Sequence, residues 1–360
     1  MSRKIVLVGG GTMGPTAPLL ALYDYWRKVH SRDQFIWAGT AEGPERKPVE
    51  ARGIQFEIIP SAKIPRYFSF QLFTWPFNYL KAINASKIFL DKYKPDIIIG
   101  AGGFTQVPLI RTASRRNIPC VIHQLDFTPS WSNLAVQKFC KYVTTTFVYH
   151  YKKFRKCKNE KQIATPNRFV AMEIPEKKPS KEYFGFNSDM PVLLVIGGGT
   201  GSLALNQVIE TNIEKWLEKI QILHLTGKGR SANLSERVGY KRYEFLDRDD
   251  LLRAYSSADI VISRAGMGGI TDLATLFKPA ILVPIPNSHQ EKNTRHLPFV
   301  IIEVKESEHL FEDLYKEVLR LLKDPDKRKK LGHELHRFIA TDDGREWLKI
   351  IERYLPEDLE

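Results

Sequence analysis

The residues best suited to chemistry lie in two glycine-rich turns. One is Gly9-Gly10-Gly11-Thr12-Met13-Gly14, near the start, and the other is Gly197-Gly198-Gly199-Thr200-Gly201-Ser202. Each follows a short apolar run, at 5–8 and at 192–196, and each leads into a helical pattern. A strand, a tight turn and a helix N-terminus bring bare backbone N–H groups to the positive end of a helix dipole, which suits a phosphate. Glycine fits the turn because it tolerates φ > 0 and carries no side chain to block close approach. Taken alone, such a turn serves a dehydrogenase, a kinase or a purely structural bend equally well. A third turn narrows the choice. Arg264-Ala265-Gly266-Met267-Gly268-Gly269-Ile270-Thr271-Asp272 follows an apolar run at 260–262 and opens another helix. There a diphosphate can be held by amides without a metal. Asp272 is suited to accept both hydroxyls of a ribose, or else it is an acid favoured at a helix start. Gln290 and Asn293, in His289-Gln290-Glu291-Lys292-Asn293, each offer a donor and an acceptor. That matches paired sugar hydroxyls, or simply a polar loop running into a helix.

Strands must hold these turns in place. Apolar runs alternate with helical patterns along the chain, which predicts parallel sheets covered on both faces. Strands are expected at 5–8, 35–38, 56–59, 97–99, 121–123 and 142–147, then at 192–196, 221–226, 243–245, 260–262 and 280–283. Two copies of the strand–glycine–helix unit predict two Rossmann-like halves with a cleft between them. The stretch 173–187, with Pro175, Pro179, several lysines and little apolar content, reads as a linker. Residues 342–355 read as a helix, opened by Asp342-Asp343-Gly344 and closed by Pro356. The expected division is 1–170, a linker at 171–188, 189–340, and a terminal segment at 341–360.

At 360 residues, with 43% hydrophobic and 26% charged content, the chain is long enough for two globular cores. No uncharged apolar run approaches the roughly 18 residues of a membrane span, and the start runs straight into a strand, so a cytoplasmic protein is expected. Cys120, Cys140 and Cys157 have no metal-ligand spacing and read as reduced thiols. Fifty-four Lys and Arg against 41 Asp and Glu leave a charge of +13, an affinity for something anionic.

Six motifs in order give the chain its resemblance to a known family: the first glycine turn, Gly100-Ala101-Gly102-Gly103-Phe104, Ile118-Pro119-Cys120-Val121-Ile122-His123-Gln124, the second glycine turn, Ala258-Asp259-Ile260-Val261-Ile262-Ser263-Arg264-Ala265-Gly266, and His289 to Asn293. Over essentially its whole length the chain resembles the MurG family, N-acetylglucosaminyltransferases that make the last lipid-linked precursor of peptidoglycan. The resemblance implies an α/β protein of GT-B fold, with two Rossmann-like domains, the second binding UDP-GlcNAc, and a final helix crossing back to the first. It implies no cofactor and no metal. Carried over motif by motif, the amides of Ala265, Gly266, Met267, Gly268 and Gly269 would hold the diphosphate. Asp272, where the family has Glu, would hold the ribose, and Gln290 with Asn293 would face the sugar. Leu246 falls in the uracil loop, and Arg168 matches an arginine near the uracil. Thr12, Gly14, Gly199 and Thr200 complete the donor set. Gly10, Gly11, Gly102, Gly103, Phe104 and Asn133 would face the acceptor.

An inverting transfer needs a base for the acceptor hydroxyl and donors for the departing UDP. Here the acceptor half departs from the family. Pro15 stands in place of a His, Phe104 in place of a common Tyr, and His123-Gln124-Leu125-Asp126 in place of His-Glu-Gln-Asn. His123, with an ordinary pKa near ~6.5, is expected to act as a pair with Asp126, which either is the base itself or holds His123 in one tautomer. The competing reading is a histidine satisfied by its surroundings.

Seven aromatics crowd positions 67–79, among them Phe68, Phe70, Phe73, Trp75 and Phe77, with Lys63, Arg66 and Lys81 alongside. A basic run, including Lys152, Lys153 and Arg155, lies in the same half. Together they are expected to dock the protein on the cytoplasmic face of an anionic membrane, each basic group adding on the order of 1 kcal/mol. The partners implied are UDP-GlcNAc, a polyprenyl-diphosphate-linked muramyl peptide, the membrane surface and other cell-wall synthesis proteins, with no nucleic acid. Two other readings share the donor chemistry: transfer to another glycolipid, or UDP-sugar binding without turnover. A dehydrogenase lacks a clear acid about 20 residues beyond the first glycine turn.

Overall fold

The computed structural model describes residues 2–60, 71–148, 154–199, 201–229 and 237–356, the side chains of 71–73 excepted. The chain forms two units, one of Met1–Arg168 with Asp342–Glu360 and one of Phe169–Thr341.

The first unit runs β1 (Lys4–Val8), α1 (Met13–Val29), β2 (Gln34–Gly39), α2 (Arg46–Glu50), β3 (Gln55–Ile58), α3 (Gln71–Tyr93), β4 (Ile97–Gly100), α4 (Gln106–Ser114), β5 (Cys120–Gln124), α5 (Trp131–Val136), β6 (Tyr142–Thr145), β7 (Glu160–Gln162) and a short β8 (Thr165–Pro166). Its seven-stranded sheet has the order β3-β2-β1-β4-β5-β6-β7 and is parallel throughout. Strands buried on both faces read as continuous apolar runs, and β1 shows why. Ile5 and Leu7 join the core with Leu19, Leu22 and Trp26 of α1, while Val6 and Val8 join Phe89, Leu90, Leu109 and Ile110 of α3 and α4.

The chain re-enters this unit at Asp342, whose backbone carbonyl accepts from Asn167 N–H at 2.8 Å. The Asp342 carboxylate accepts from Gly344 N–H at 2.8 Å and Glu346 N–H at 2.9 Å, opening α14 (Arg345–Ile351). Gly344 sits at φ 103°, and a Cβ there would lie 2.9 Å from Leu22 Cα, so only glycine lets this turn close on α1. Trp347, Leu348, Ile350 and Ile351 then complete the α1 core.

The second unit runs α6 (Lys177–Tyr183), β9 (Val192–Ile196), α7 (Leu203–Thr211), α8 (Ile213–Leu217), β10 (Gln221–Leu225), β11 (Tyr240–Tyr243), α9 (Arg248–Ser257), β12 (Ile260–Arg264), α10 (Met267–Thr275), β13 (Ala280–Val283), α11 (His289–Arg295), β14 (Ile302–Glu303), α12 (Leu310–Lys323) and α13 (Pro325–Phe338). The parallel order is β11-β10-β9-β12-β13-β14. Leu310, Leu314, Val318 and Leu321 give α12 one apolar stripe on the core.

Two expectations change. The stretch expected as a linker, 171–188, instead carries α6 and the buried Phe184 and Phe186. Lys181 buries its stem there, donates to the carbonyl of Met190 at 2.6 Å and pairs with Asp259 at 3.3 Å. The strand expected at 243–245 lies earlier, at Tyr240–Tyr243. It is a sheet edge, so Lys241 and Arg242 are tolerated and its apolar signal is weak.

Candidate functional site

In the second unit, the candidate donor residues gather at the C-terminal ends of β9, β12 and β13. Ligands bind at that edge of parallel α/β sheets. In the β9–α7 turn Gly201 sits at φ 73°, and a Cβ there would collide with the Thr226 carbonyl. Ser202 caps α7, accepting from Leu205 N–H at 3.3 Å. Its hydroxyl also accepts from Arg264 Nε at 2.9 Å. Arg264 is buried and donates to the carbonyls of Val283 at 3.2 Å and Pro284 at 3.4 Å, and its other nitrogen lies 2.6 Å from Glu306. One guanidinium thus ties together four chain segments beneath the turn at 265–269.

That turn opens α10, which has Gly266 at its N-cap and no side-chain cap. The first N–H groups of a helix have no intrahelical partner. Gly266, Gly268 and Gly269 are part-exposed, and a Cβ on Gly268 would meet nothing within 4 Å. This leaves a rigid, open, positively polarised turn suited to a diphosphate. Gln290 and Asn293 hold it from beneath. Gln290 Oε1 accepts from Ala265 N–H and Ile285 N–H, both at 3.2 Å, and Asn293 Nδ2 donates to the Ala265 carbonyl at 3.1 Å. Asn293, expected at the sugar, is therefore a buried clamp, and the Ala265 amide expected at the diphosphate is engaged by Gln290. Asp272 lies in the second helical turn, not the first, and is buried. Leu246 is buried beside an exposed Phe245. Gly199 is exposed, Thr200 lies outside the described residues, and Arg168 belongs to the first unit.

Beneath the second glycine turn, His224 Nδ1 lies 3.0 Å from the Tyr240 hydroxyl and Nε2 3.1 Å from Asn206 Oδ1. Burial, with Arg242 nearby, pushes its pKa down to about 3. This imidazole stays neutral and structural.

In the first unit, Thr12 stands at the N-cap position of α1 without a side-chain cap bond, and Gly14 lies in the first turn, beside Gly10 and Gly11. The phosphate-like place in this turn is taken. Buried Glu45 accepts from Gly11 N–H at 3.2 Å and from Thr40 N–H at 2.8 Å, and a Cβ on Gly10 would collide with its carboxylate. The chain's own anion fills the nest expected to face an acceptor. Gly103, at φ 91°, packs so tightly on this turn that a Cβ would lie 2.9 Å from the Gly10 carbonyl oxygen. Phe104 is half-buried just beyond it.

Three buried amides link this edge to the loop after β5. Gly102 N–H donates to Gln106 Oε1 at 3.1 Å, and Gln106 Nε2 donates to Asn133 Oδ1 at 2.6 Å. Asn133 Nδ2 donates in turn to Gln124 Oε1 at 2.7 Å, and Gln124 Nε2 donates to the carbonyls of Asp126 at 2.8 Å and Thr128 at 3.2 Å. Asn133, expected at the acceptor, is the hub of this chain and is buried. His123 is also corrected. It is 0% exposed, its ring nitrogens lie 3.0 Å from Thr144 Oγ1 and 3.2 Å from Thr146 Oγ1, and its ring packs 5.1 Å from Trp347. A ring so enclosed has no path to an acceptor hydroxyl. Asp126, half-buried in the anchored loop, is the remaining carboxylate of the expected pair.

On α3, Phe77 is 75% exposed, and Leu80 and Ile88 are exposed with Lys81 and Lys87 nearby. Trp75 stacks on Tyr79 at 5.4 Å, and Arg111 lies 5.8 Å from the Tyr79 ring. Phe68, Phe70, Lys152 and Lys153 lie outside the described residues, as does the Phe73 side chain. Arg155 is exposed, whereas Phe154 in the basic run is core. No helix among the described residues is long and apolar enough to cross a membrane. Burial raises the thiol pKa values, that of Cys120 to about 12, which favours the protonated thiol at all three positions.

Two parallel, Rossmann-like sheets with a terminal helix packed on the first unit make this a protein of the GT-B architecture. The Glycosyltransferase family 28 N-terminal domain matches residues 5–145, and the family 28 C-terminal domain matches 192–342. A Clostridium botulinum protein named UDP-N-acetylglucosamine--N-acetylmuramyl-(pentapeptide) pyrophosphoryl-undecaprenol N-acetylglucosamine transferase is 36% identical over 288 residues, 79% of each chain. A Clostridium tetani protein of the same name is 35% identical over 286 residues, covering 79% of this chain and 78% of its own. The crystal structure of Acinetobacter baumannii MurG superposes with a TM-score of 0.71 at 20% identity, over 98% of this chain and 100% of that one. The chain belongs to the MurG family of family 28 glycosyltransferases.

Proposed function

We infer that the protein transfers N-acetylglucosamine from UDP-N-acetylglucosamine to a polyprenyl-diphosphate-linked muramyl peptide, converting lipid I to lipid II. The observation that carries this reading is the open N-terminal turn of α10, clamped by Arg264, Gln290 and Asn293. As the acceptor hydroxyl attacks the sugar's anomeric carbon, the bond to UDP breaks and negative charge grows on the departing diphosphate. The N–H groups at 266–269 stabilise that charge most where it is greatest, and no metal is needed. Asp126 takes the hydroxyl proton as the new bond forms, and the configuration inverts. The amide chain from Gly102 to Asp126 holds the base in place.

The exposed apolar side chains of α3 with Lys81 and Lys87 support docking on the anionic cytoplasmic face of the cell membrane, where a lipid acceptor resides. The base assignment is tested by Asp126→Asn. Turnover should fall by ~10²–10⁴-fold while UDP-GlcNAc affinity by calorimetry stays unchanged. Full turnover in that variant would remove Asp126 from the chemistry.

A further inference from the structure

Four of the six tryptophans, Trp26, Trp37, Trp216 and Trp347, are fully buried, and Trp75 is half-buried on Tyr79. Trp131 is 80% exposed. It opens α5 directly after the Asp126 loop, at the edge of the first sheet where ligands bind. The backbone beneath it is firmly held. Ser130 Oγ accepts from Asn133 N–H at 3.2 Å, and Ser130 N–H donates to Gln124 Oε1 at 3.1 Å. Along the loop, Leu125, Phe127 and Pro129 point inward while Asp126, Thr128 and Ser130 stay part-exposed. Phe127 is fixed against Phe147 at 4.8 Å. A large apolar ring on an anchored backbone turn, five residues from the candidate base, is placed to be covered by a ligand.

We propose that the Trp131 indole is a stacking platform for the acceptor's sugar ring, setting that sugar's orientation relative to Asp126. Its flat face complements the apolar C–H face of a pyranose, and the indole N–H can donate to a ring substituent. This rests on the transferase reading above. Trp131 is a positioning residue, since the acceptor hydroxyl reacts elsewhere on the ring.

The test uses the full chain, radiolabelled UDP-GlcNAc and a water-soluble short-prenyl lipid I, without vesicles. Trp131→Ala should raise the acceptor KM by ~10-fold, the size of a lost aromatic contact of about 1.4 kcal/mol. The donor KM and co-sedimentation with phosphatidylcholine–phosphatidylglycerol vesicles should not change, and Trp131→Phe should recover most of the loss. An unchanged acceptor KM, or a loss confined to vesicle binding, overturns the platform, the latter in favour of a membrane anchor. A second readout is independent of turnover. The short-prenyl acceptor should alter tryptophan emission in the native protein but not in Trp131→Phe. If the native protein fails to transfer GlcNAc yet shows this change, the platform stands and the transferase reading falls. If neither variant responds, the platform is wrong.

Discussion

Replacing Arg264 with methionine tests whether the donor turn owes its shape to one buried cation. The methionine side chain fills similar space but loses the bond to Ser202, two carbonyl contacts and the 2.6 Å pairing with Glu306. Breaking a buried ion pair costs ~3–5 kcal/mol, because the remaining charge is left uncompensated. The side chain of Glu306 is 29% exposed, so water relieves part of that penalty. A net loss of about 2–4 kcal/mol is expected, lowering the urea midpoint of this unit by roughly 1 M at an m-value of 2–3 kcal/mol/M. The turn at 265–269 should also drift, and a misplacement on the order of 1 Å can cost ~10²-fold in turnover. Urea unfolding followed by tryptophan emission reads the first effect, and UDP-GlcNAc titration with steady-state kinetics reads the second. The companion Arg264→Met/Glu306→Leu variant should recover part of the stability, because no lone carboxylate remains. An unchanged urea midpoint with normal donor affinity would refute the clamp. An unchanged midpoint with donor affinity alone reduced would make Arg264 a direct ligand contact instead.

Further outcomes follow from other sites. His224 is held neutral in the folded protein with its pKa near 3, while the unfolded chain titrates near ~6.5. The unfolded state therefore binds the extra proton first. Stability should fall by ~1.4 kcal/mol per pH unit from that site between pH 6.5 and 3 and level off below. Acid titration of His224→Phe should lack this component of the slope; an identical slope would exclude His224 as its source. On α3, Phe77→Ser with Leu80→Ser should weaken binding to anionic vesicles by at least ~10-fold without changing the melting temperature, since both side chains already face solvent. Unchanged vesicle binding would remove α3 from the docking surface.

The apolar runs at 5–8, 97–99 and 192–196 were legible because central parallel strands are buried on both faces and need no interpretation of alternation. The first two glycine turns are equally readable, since Gly11, Gly198 and Gly201 sit at positive φ, which restricts composition locally. Contacts made by tertiary structure were not. His123 reads as a base because nothing nearby in sequence marks Thr144 and Thr146 as its partners; β6, with the residue just after it, brings them alongside β5. Gln106, Gln124 and Asn133 form one hydrogen-bonded chain from three separate segments, so the amides were not readable as a unit. Glu45 likewise gave no local sign that it would fill the first glycine turn. The segment at 173–187 reads as a linker on its mean composition, although its Phe184 and Phe186 are buried. Lys181 adds a buried stem that a charge count treats as surface.

The central claim is tested most directly by incubating the purified full chain with radiolabelled UDP-GlcNAc and short-chain lipid I, following free UDP and labelled lipid in one reaction. The account predicts equal molar appearance of both, with the new sugar in the β configuration. Absence of labelled lipid while UDP-GlcNAc still binds, or UDP release without lipid labelling, would contradict it.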